Sequence, residues 1–257
     1  MKKVYYYIKT LEYFFKKFSL IYKSAQTRIG LELKIKILIL YFFHFFLNLF
    51  FINRKFKKNI KIFTNKKVNY KFSNDWFSHN IPIWIYIFKK KKIRDKCYIL
   101  EIGSYEGMST LFLLENLKNS KINCVETFKG SDEHEEIDFK DVKKNFLYNL
   151  NNYKERYDLF EGTSDSFFEK LSKNGKSYDV IYIDGSHHGN QVFKDAENSF
   201  NCIKIDGLII FDDFLREFYD DRDQNTIGGA LSFLEKYKDK IKLEFVHYQL
   251  FITKIRN

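Results

Sequence analysis

The sequence predicts an α/β fold: a mostly parallel, seven-stranded sheet with an antiparallel edge strand, preceded by a helical extension. Two observations carry this. From Cys97 onward, short apolar runs alternate with segments of helical periodicity, the pattern of parallel strands joined by crossover helices. The run Tyr98-Ile99-Leu100-Glu101-Ile102 then turns through Gly103 and Gly107 straight into the helical pattern Leu111, Leu114, Leu117. Strand, glycine turn, helix is how an open sheet presents backbone N–H groups to a ligand. The chain divides accordingly into a basic, aromatic extension, 1–96, and the alternating domain, 97–257.

In the extension, residues 1–30 mix Lys with Tyr and Phe and suit one amphipathic helix. Segment 35–52 is almost wholly apolar, but its length is marginal for a bilayer crossing, which needs roughly 20 residues. Lys36, His44 and Asn48 interrupt it, and Lys34, Arg54, Lys55, Lys57 and Lys58 flank it. Tyr41, His44 and Asn48 fall at i, i+3 and i+7, one narrow polar stripe. Three readings stay open: a helix packed on the domain or in a homo-oligomer contact, a helix in a membrane interface, and a true span. The stripe favours the first two.

In the domain, strands are expected at 97–102, 122–126, 157–161, 178–184 and 207–213, with helices at 107–118, 137–150, 164–172, 189–203 and 226–238. Strand 178–184 is apolar through its middle, as a central buried strand should be. A polar loop occupies 130–134 and another 214–225, where Asn225 suits a helix N-cap. Segments 242–246 and 249–254 close the chain as a hairpin-like antiparallel edge.

The 257 residues fit one ordinary domain plus its extension. A net charge of +11 invites a nucleic-acid or anionic-membrane partner. Abundant Lys, Ile, Phe, Tyr and Asn also follow from an AT-rich genome, and the basic residues crowd 1–96. No motif interleaves stacking aromatics with basic residues in the required order, so no specific nucleic-acid partner is expected. Cys97, Cys124 and Cys202 show no Cys-x-x-Cys spacing and no flanking His pair, which reads as free thiols in a reducing compartment. No cleavable signal peptide is visible. The expected location is cytoplasmic, peripheral to the inner face of a membrane if 35–52 meets lipid.

Gly-x-x-x-Gly at 103–107 is not the Gly-x-Gly-x-x-Gly of a dinucleotide site, which argues against a nicotinamide-dependent oxidoreductase on a similar sheet. An acid two residues before the first glycine, with Ser109 opening the helix, suits a zwitterionic ligand. On these residues the chain resembles the class I S-adenosylmethionine-dependent methyltransferases and their Rossmann-like fold. That resemblance implies a cofactor site of Glu101, Gly103, Ser104, Tyr105, Gly107, Ser109 and Asp184. Glu126 would meet the ribose and Ser164 the adenine, unless Ser164 is an ordinary helix cap. The aromatic segment 74–84, with Trp76, His79 and Trp84, stands where the class often builds a substrate cover. Its tryptophans could instead pack that helix on the sheet.

The segment Tyr182-Ile183-Asp184-Gly185-Ser186-His187-His188, with Asp212-Asp213 at the next strand end, resembles the branch related to metal-dependent catechol and macrolide-sugar O-methyltransferases. The resemblance implies that Asp184, Asp212 and Asp213 hold Mg²⁺ or another divalent cation. His187 would be the general base, alongside Asp184. His188 is one residue from that role, and His134 could approach from the second loop. Asp184 or Asp213 could instead cap the loop. The expected acceptor is a small-molecule or glycan hydroxyl; nitrogen or carboxylate acceptors and a non-catalytic basic binding protein are the competing readings.

Overall fold

A computed structural model describes residues 2–130, 139–171 and 177–257, with the side chains of 2–7 and 67 left aside. The polar loop at 131–134, with His134, lies outside the described residues. Helix α1 (Lys2–Ala25) leads into α2 (Leu31–Leu47), a π-helical turn at Asn48–Ile52, and α3 (Asn53–Lys66). The last three run on as one helix, Leu31–Lys66, long and apolar enough to cross a bilayer by length and composition alone. Helix α4 (Ile81–Lys91) takes Pro82 in its first turn, where the missing N–H costs nothing.

The alternating part follows as β1 (Tyr98–Ile102), α5 (Met108–Asn116), β2 (Lys121–Glu126), α6 (Val142–Asn149), β3 (Tyr157–Glu161), α7 (Ser164–Leu171), β4 (Tyr178–Ile183), α8 (Gly189–Cys202), β5 (Ile203–Phe211), α9 (Thr226–Tyr237), β6 (Ile241–Val246) and β7 (Leu250–Lys254). The strands form one sheet in the order β3-β2-β1-β4-β5-β7-β6. β1 to β5 pair in parallel, and β7 runs antiparallel to both β5 and β6. β5 starts four residues before the expected 207. The β4–β5 register shifts between Tyr178 and Val180, and Asp206 takes a positive φ of 63°. The irregularity holds Lys204, Ile205 and Asp206, and the two polar residues beside Gly207 make the stretch read as loop.

The central strands are buried on both faces. Ile99, Val180, Tyr182, Leu208 and Ile210 pack with α4 and α5; Leu100, Ile102, Ile181, Ile183, Ile209 and Phe211 pack with α1, α2, α8 and α9. Where α8 and α9 begin, a Cβ on Gly229 would stand 2.1 Å from the Gly189 carbonyl oxygen. Only two glycines let the backbones cross so closely.

The polar stripe of α2 faces inward. Tyr41, His44 and Asn48 are all buried. His44 Nδ1 accepts the Val246 N–H at 3.0 Å, its ring stacks on Phe245 at 4.3 Å, and Asn48 Nδ2 lies 3.3 Å from His247 Nε2. Burial first, then the nearby Lys90 against a weaker pull from Glu244, lowers the His44 pKa to about 4. Protonating Nδ1 would also set N–H against N–H. The unfolded histidine titrates near 6.5, so the unfolded state binds more protons between the two values. Stability from His44 is therefore complete above about pH 6.5 and is lost as pH falls through about 4, in all about 3 kcal/mol. Urea midpoints are expected to fall from pH 7.5 to 5, with a shallower fall in His44→Asn. An unchanged slope would place the titration elsewhere.

Candidate active site

A cavity of about 1250 Å³ opens at the carboxyl ends of β1 to β5, where ligands sit in open α/β sheets. One wall is the glycine turn. Gly103 holds φ +84°, and a Cβ there would lie 1.9 Å from the Asp184 carbonyl oxygen. The close approach that requires glycine is thus to the neighbouring strand end. Gly107 also has positive φ, +81°, but faces only the side chains of Leu150 and Phe146; its N–H donates to the Ser104 carbonyl at 2.7 Å.

Glu101 and Ser109 are placed differently from the expectation of a ligand contact. Glu101 is fully buried and accepts from the hydroxyls of Ser109, Thr110 and Ser104. Neither it nor Ser104, Gly107 or Ser109 lines the cavity. Burial pushes the Glu101 pKa up to about 7 despite those hydroxyl bonds. These side chains build the turn from beneath and leave its backbone, with Gly103 and Tyr105, on the cavity wall.

Glu126 stands on the same wall. Its Oε2 accepts the backbone N–H of Ser104 at 2.8 Å and of Tyr105 at 2.7 Å, and Oε1 that of Phe128 at 2.8 Å. The carboxylate therefore couples the ends of β1 and β2. Ser164 lines the cavity and accepts from Gln191 Nε2 at 3.2 Å. It is Thr163 that caps α7, its hydroxyl accepting the Ser166 N–H at 3.3 Å.

The opposite wall is acidic. The Tyr182 hydroxyl lies 2.9 Å from Asp184 Oδ2 and also bonds Asp212 Oδ2. One phenol proton thus serves two carboxylates. Burial, opposed by the hydrogen bond from His187 and reinforced by the charge of Asp213, raises the Asp184 pKa to about 6. Burial and the charges of Asp184 and Asp213 push Asp212 well above the usual range. The third acid turns aside. Asp213 has φ +47°, accepts from the Tyr248 hydroxyl, and lies 3.3 Å from His187 Nε2 and 3.5 Å from Arg216. Burial opposes its charge, but the bond from His187 prevails and its pKa falls. Among the described residues no three His, Cys, Asp or Glu side chains form a ready metal cage. The expected single ligand set of Asp184, Asp212 and Asp213 is therefore divided: two acids share Tyr182, and one pairs with His187. Hard oxygen donors that repel one another do suit a divalent cation.

His187 Nε2 also lies 3.9 Å from Asp184 Oδ1, and its ring stacks on Phe218 at 4.1 Å. His188 stacks on Tyr219 at 4.3 Å. Both line the cavity, but His187 is the one set between the two carboxylates.

The extension completes the enclosure. Arg28, Asp75, Trp76 and His79 line the cavity. The two tryptophans divide the alternatives between them. Trp84 is fully buried against Tyr182 at 4.9 Å and donates to Gln249 Oε1 at 2.7 Å, whereas Trp76 lies over Tyr105 at 4.8 Å. Glu106 ties this segment to the glycine turn, accepting from the Ser73 N–H at 2.6 Å and from Asn145 Nδ2 at 2.8 Å. Tyr182, Tyr248, Arg28, Arg216 and Glu106 escaped the sequence reading. Tyr182 lies within segment 182–188 and Glu106 within the 103–107 turn, but nothing in the one-dimensional pattern points to Tyr248, Arg28 or Arg216.

Residues 100–214 match the family described as a methyltransferase domain. Among curated proteins, the uncharacterized protein R132 of Acanthamoeba polyphaga mimivirus is 25% identical over 121 residues, 47% of this chain and 53% of that protein. The chain thus matches about half of that relative's length. Similar folds include the O-methyltransferase from Bacillus cereus in complex with S-adenosylhomocysteine (TM-score 0.52, 15% identity, 85% of this chain and all 100% of that one). The O-methyltransferase TomG from Streptomyces achromogenes, in complex with S-adenosylmethionine, is similar at TM-score 0.54 and 10% identity over 85% and 97% of the two chains. MycE of the mycinamycin biosynthetic pathway, in complex with Mg, S-adenosylhomocysteine and mycinamycin VI, has TM-score 0.55 and 16% identity over 77% and 53%. Residues 100–214 therefore resemble a methyltransferase domain, and the strand order with the glycine turn and the acid at the end of β2 gives the chain the fold of these O-methyltransferases.

Proposed function

We propose that the chain methylates a hydroxyl oxygen of a small-molecule or glycan acceptor, with His187 taking the hydroxyl proton. The observation that supports this is one cavity with two dissimilar walls: a glycine turn with Glu126 on one side, and Asp184, Asp212 and His187 on the other. S-Adenosylmethionine supplies the electrophilic methyl group and leaves as the neutral thioether. Glu126 accepts from the ribose hydroxyls, the backbone of Gly103 and Tyr105 borders the cofactor, and Ser164 borders its adenine. Asp213 and, farther off, Asp184 orient the His187 imidazole, a side-chain type suited to removing a hydroxyl proton. A divalent cation, held by Asp184 and Asp212 with Asp213 as the third candidate, would neutralise the acids and acidify the acceptor hydroxyl. Residues 1–96 act as the acceptor-recognition part through Arg28, Trp76 and His79, which border the same space.

Calorimetric titration with S-adenosylhomocysteine tests the cofactor site. Binding is expected in wild type. Glu126→Ala should weaken it roughly 10²–10³-fold, as loss of charge-assisted hydrogen bonds would, and Glu126→Gln should weaken it less. Added Mg²⁺ should strengthen binding in wild type but not in Asp212→Asn. No binding with or without Mg²⁺ would overturn the methyl-transfer reading.

A further inference from the structure

Helix α2 lacks the polar outer face of a surface helix in a soluble domain. The polar stripe Tyr41, His44 and Asn48 is buried against β6 and the turn after it, while from Ile39 to Phe51, beyond the exposed Glu32 and Lys36, the outward side is apolar. Leu31 is 71% exposed, Ile39 61%, Phe42 53% and Phe43 59%, and on α1 Phe15 is 64% exposed. The two outward faces join: the Phe14 ring lies 5.2 Å from Phe15 and 5.8 Å from Phe42. A continuous apolar surface of this kind marks an interaction site.

What borders it identifies the partner. Helix α3 continues the same rod with Arg54, Lys55, Lys57, Lys58, Lys61 and Lys66 and no acid. Two of these cations sit over rings at the end of the apolar row: Arg54 over Phe50 at 5.9 Å and Lys55 over Phe51 at 5.1 Å. Lys34 lies over the Tyr22 ring at 4.0 Å. An apolar face rimmed by cations whose stems lie along aromatic rings matches the boundary between acyl chains and anionic headgroups.

We propose that the outward face of α1 and α2, with the basic α3, docks the protein flat on an anionic membrane surface. Spanning does not fit the geometry. A bilayer crossing would strip His44 from the Val246 N–H and Asn48 from His247, leaving buried polar groups without partners in lipid.

The test is co-sedimentation of the full chain with phosphatidylcholine vesicles, with and without phosphatidylglycerol. Wild type is expected to bind the anionic vesicles at least tenfold more tightly than the neutral ones, and to release partly as salt is raised. Phe42→Ser with Phe43→Ser, both at exposed positions, should reduce vesicle binding about tenfold while S-adenosylhomocysteine binding is unchanged, which separates this proposal from the one above. Three results would overturn it. Wild type could ignore anionic vesicles. The same two substitutions could dissolve a concentration-dependent dimer, making the face a self-contact. Membrane-bound protein could resist alkaline carbonate, the mark of a span.

Discussion

Asp184→Asn and Asp212→Asn are each expected to lower turnover by roughly 10⁴-fold or more, beyond the approximately 10²–10⁴-fold expected when a general base is lost in His187→Ala. The aspartates carry more because they fix geometry as well as charge, and positioning alone can supply about 7–11 kcal/mol. Asparagine keeps an acceptor for the Tyr182 hydroxyl, which both carboxylates now share. It removes a charge that burial and neighbouring acids oppose. An acid whose folded-state pKa is raised weakens the fold at neutral pH, because the unfolded state gives up its proton more readily. Both variants should therefore unfold in denaturant at the wild-type midpoint or above it, while single-turnover rates collapse. A dead His187→Ala beside active aspartate variants would refute the assignment.

Gly103→Ala should be the most damaging single change to the fold. At φ +84° an L-residue costs about 1–2 kcal/mol. The added Cβ would also stand 1.9 Å from the Asp184 carbonyl oxygen, which belongs to backbone and cannot swing away. The total is expected to be on the order of 4 kcal/mol or more, the range of exceptional substitutions. Gly107→Ala is the control. Its φ is nearly the same, but its nearest neighbours are the side chains of Leu150 and Phe146 at 3.2 Å. It should cost about 1–2 kcal/mol, mostly backbone strain. Urea midpoints measure both. Equal losses would mean that the close approach of β1 to the end of β4 is not what demands glycine.

The alternating part of the fold was legible because each parallel strand is a short apolar run between turn residues, and strand 157–161 is found where it was expected. The cavity was legible for the same reason: parallel strands bring their carboxyl ends to one edge, so Gly103, Glu126, Ser164, Asp184 and Asp212 had to meet there. Periodicity could not tell which atoms face the ligand. Glu101 reads as a ligand from its spacing to Gly103, yet Ser109 and Thr110, one helical turn on, bond its carboxylate beneath the turn. Nor could spacing part Asp213 from Asp212, because the separation arises from a positive φ and from Tyr248, which the turn between β6 and β7 brings beside the end of β5.

The extension shows the same limit most sharply. Its sequence determined that 35–52 is helical and that Tyr41, His44 and Asn48 share one face. Only tertiary structure decided which side that face takes, because the partners that satisfy it, the Val246 N–H and His247, lie about two hundred residues along the chain. Helical periodicity is a local property of the chain, whereas burial of a polar stripe depends on a distant strand offering hydrogen bonds to it.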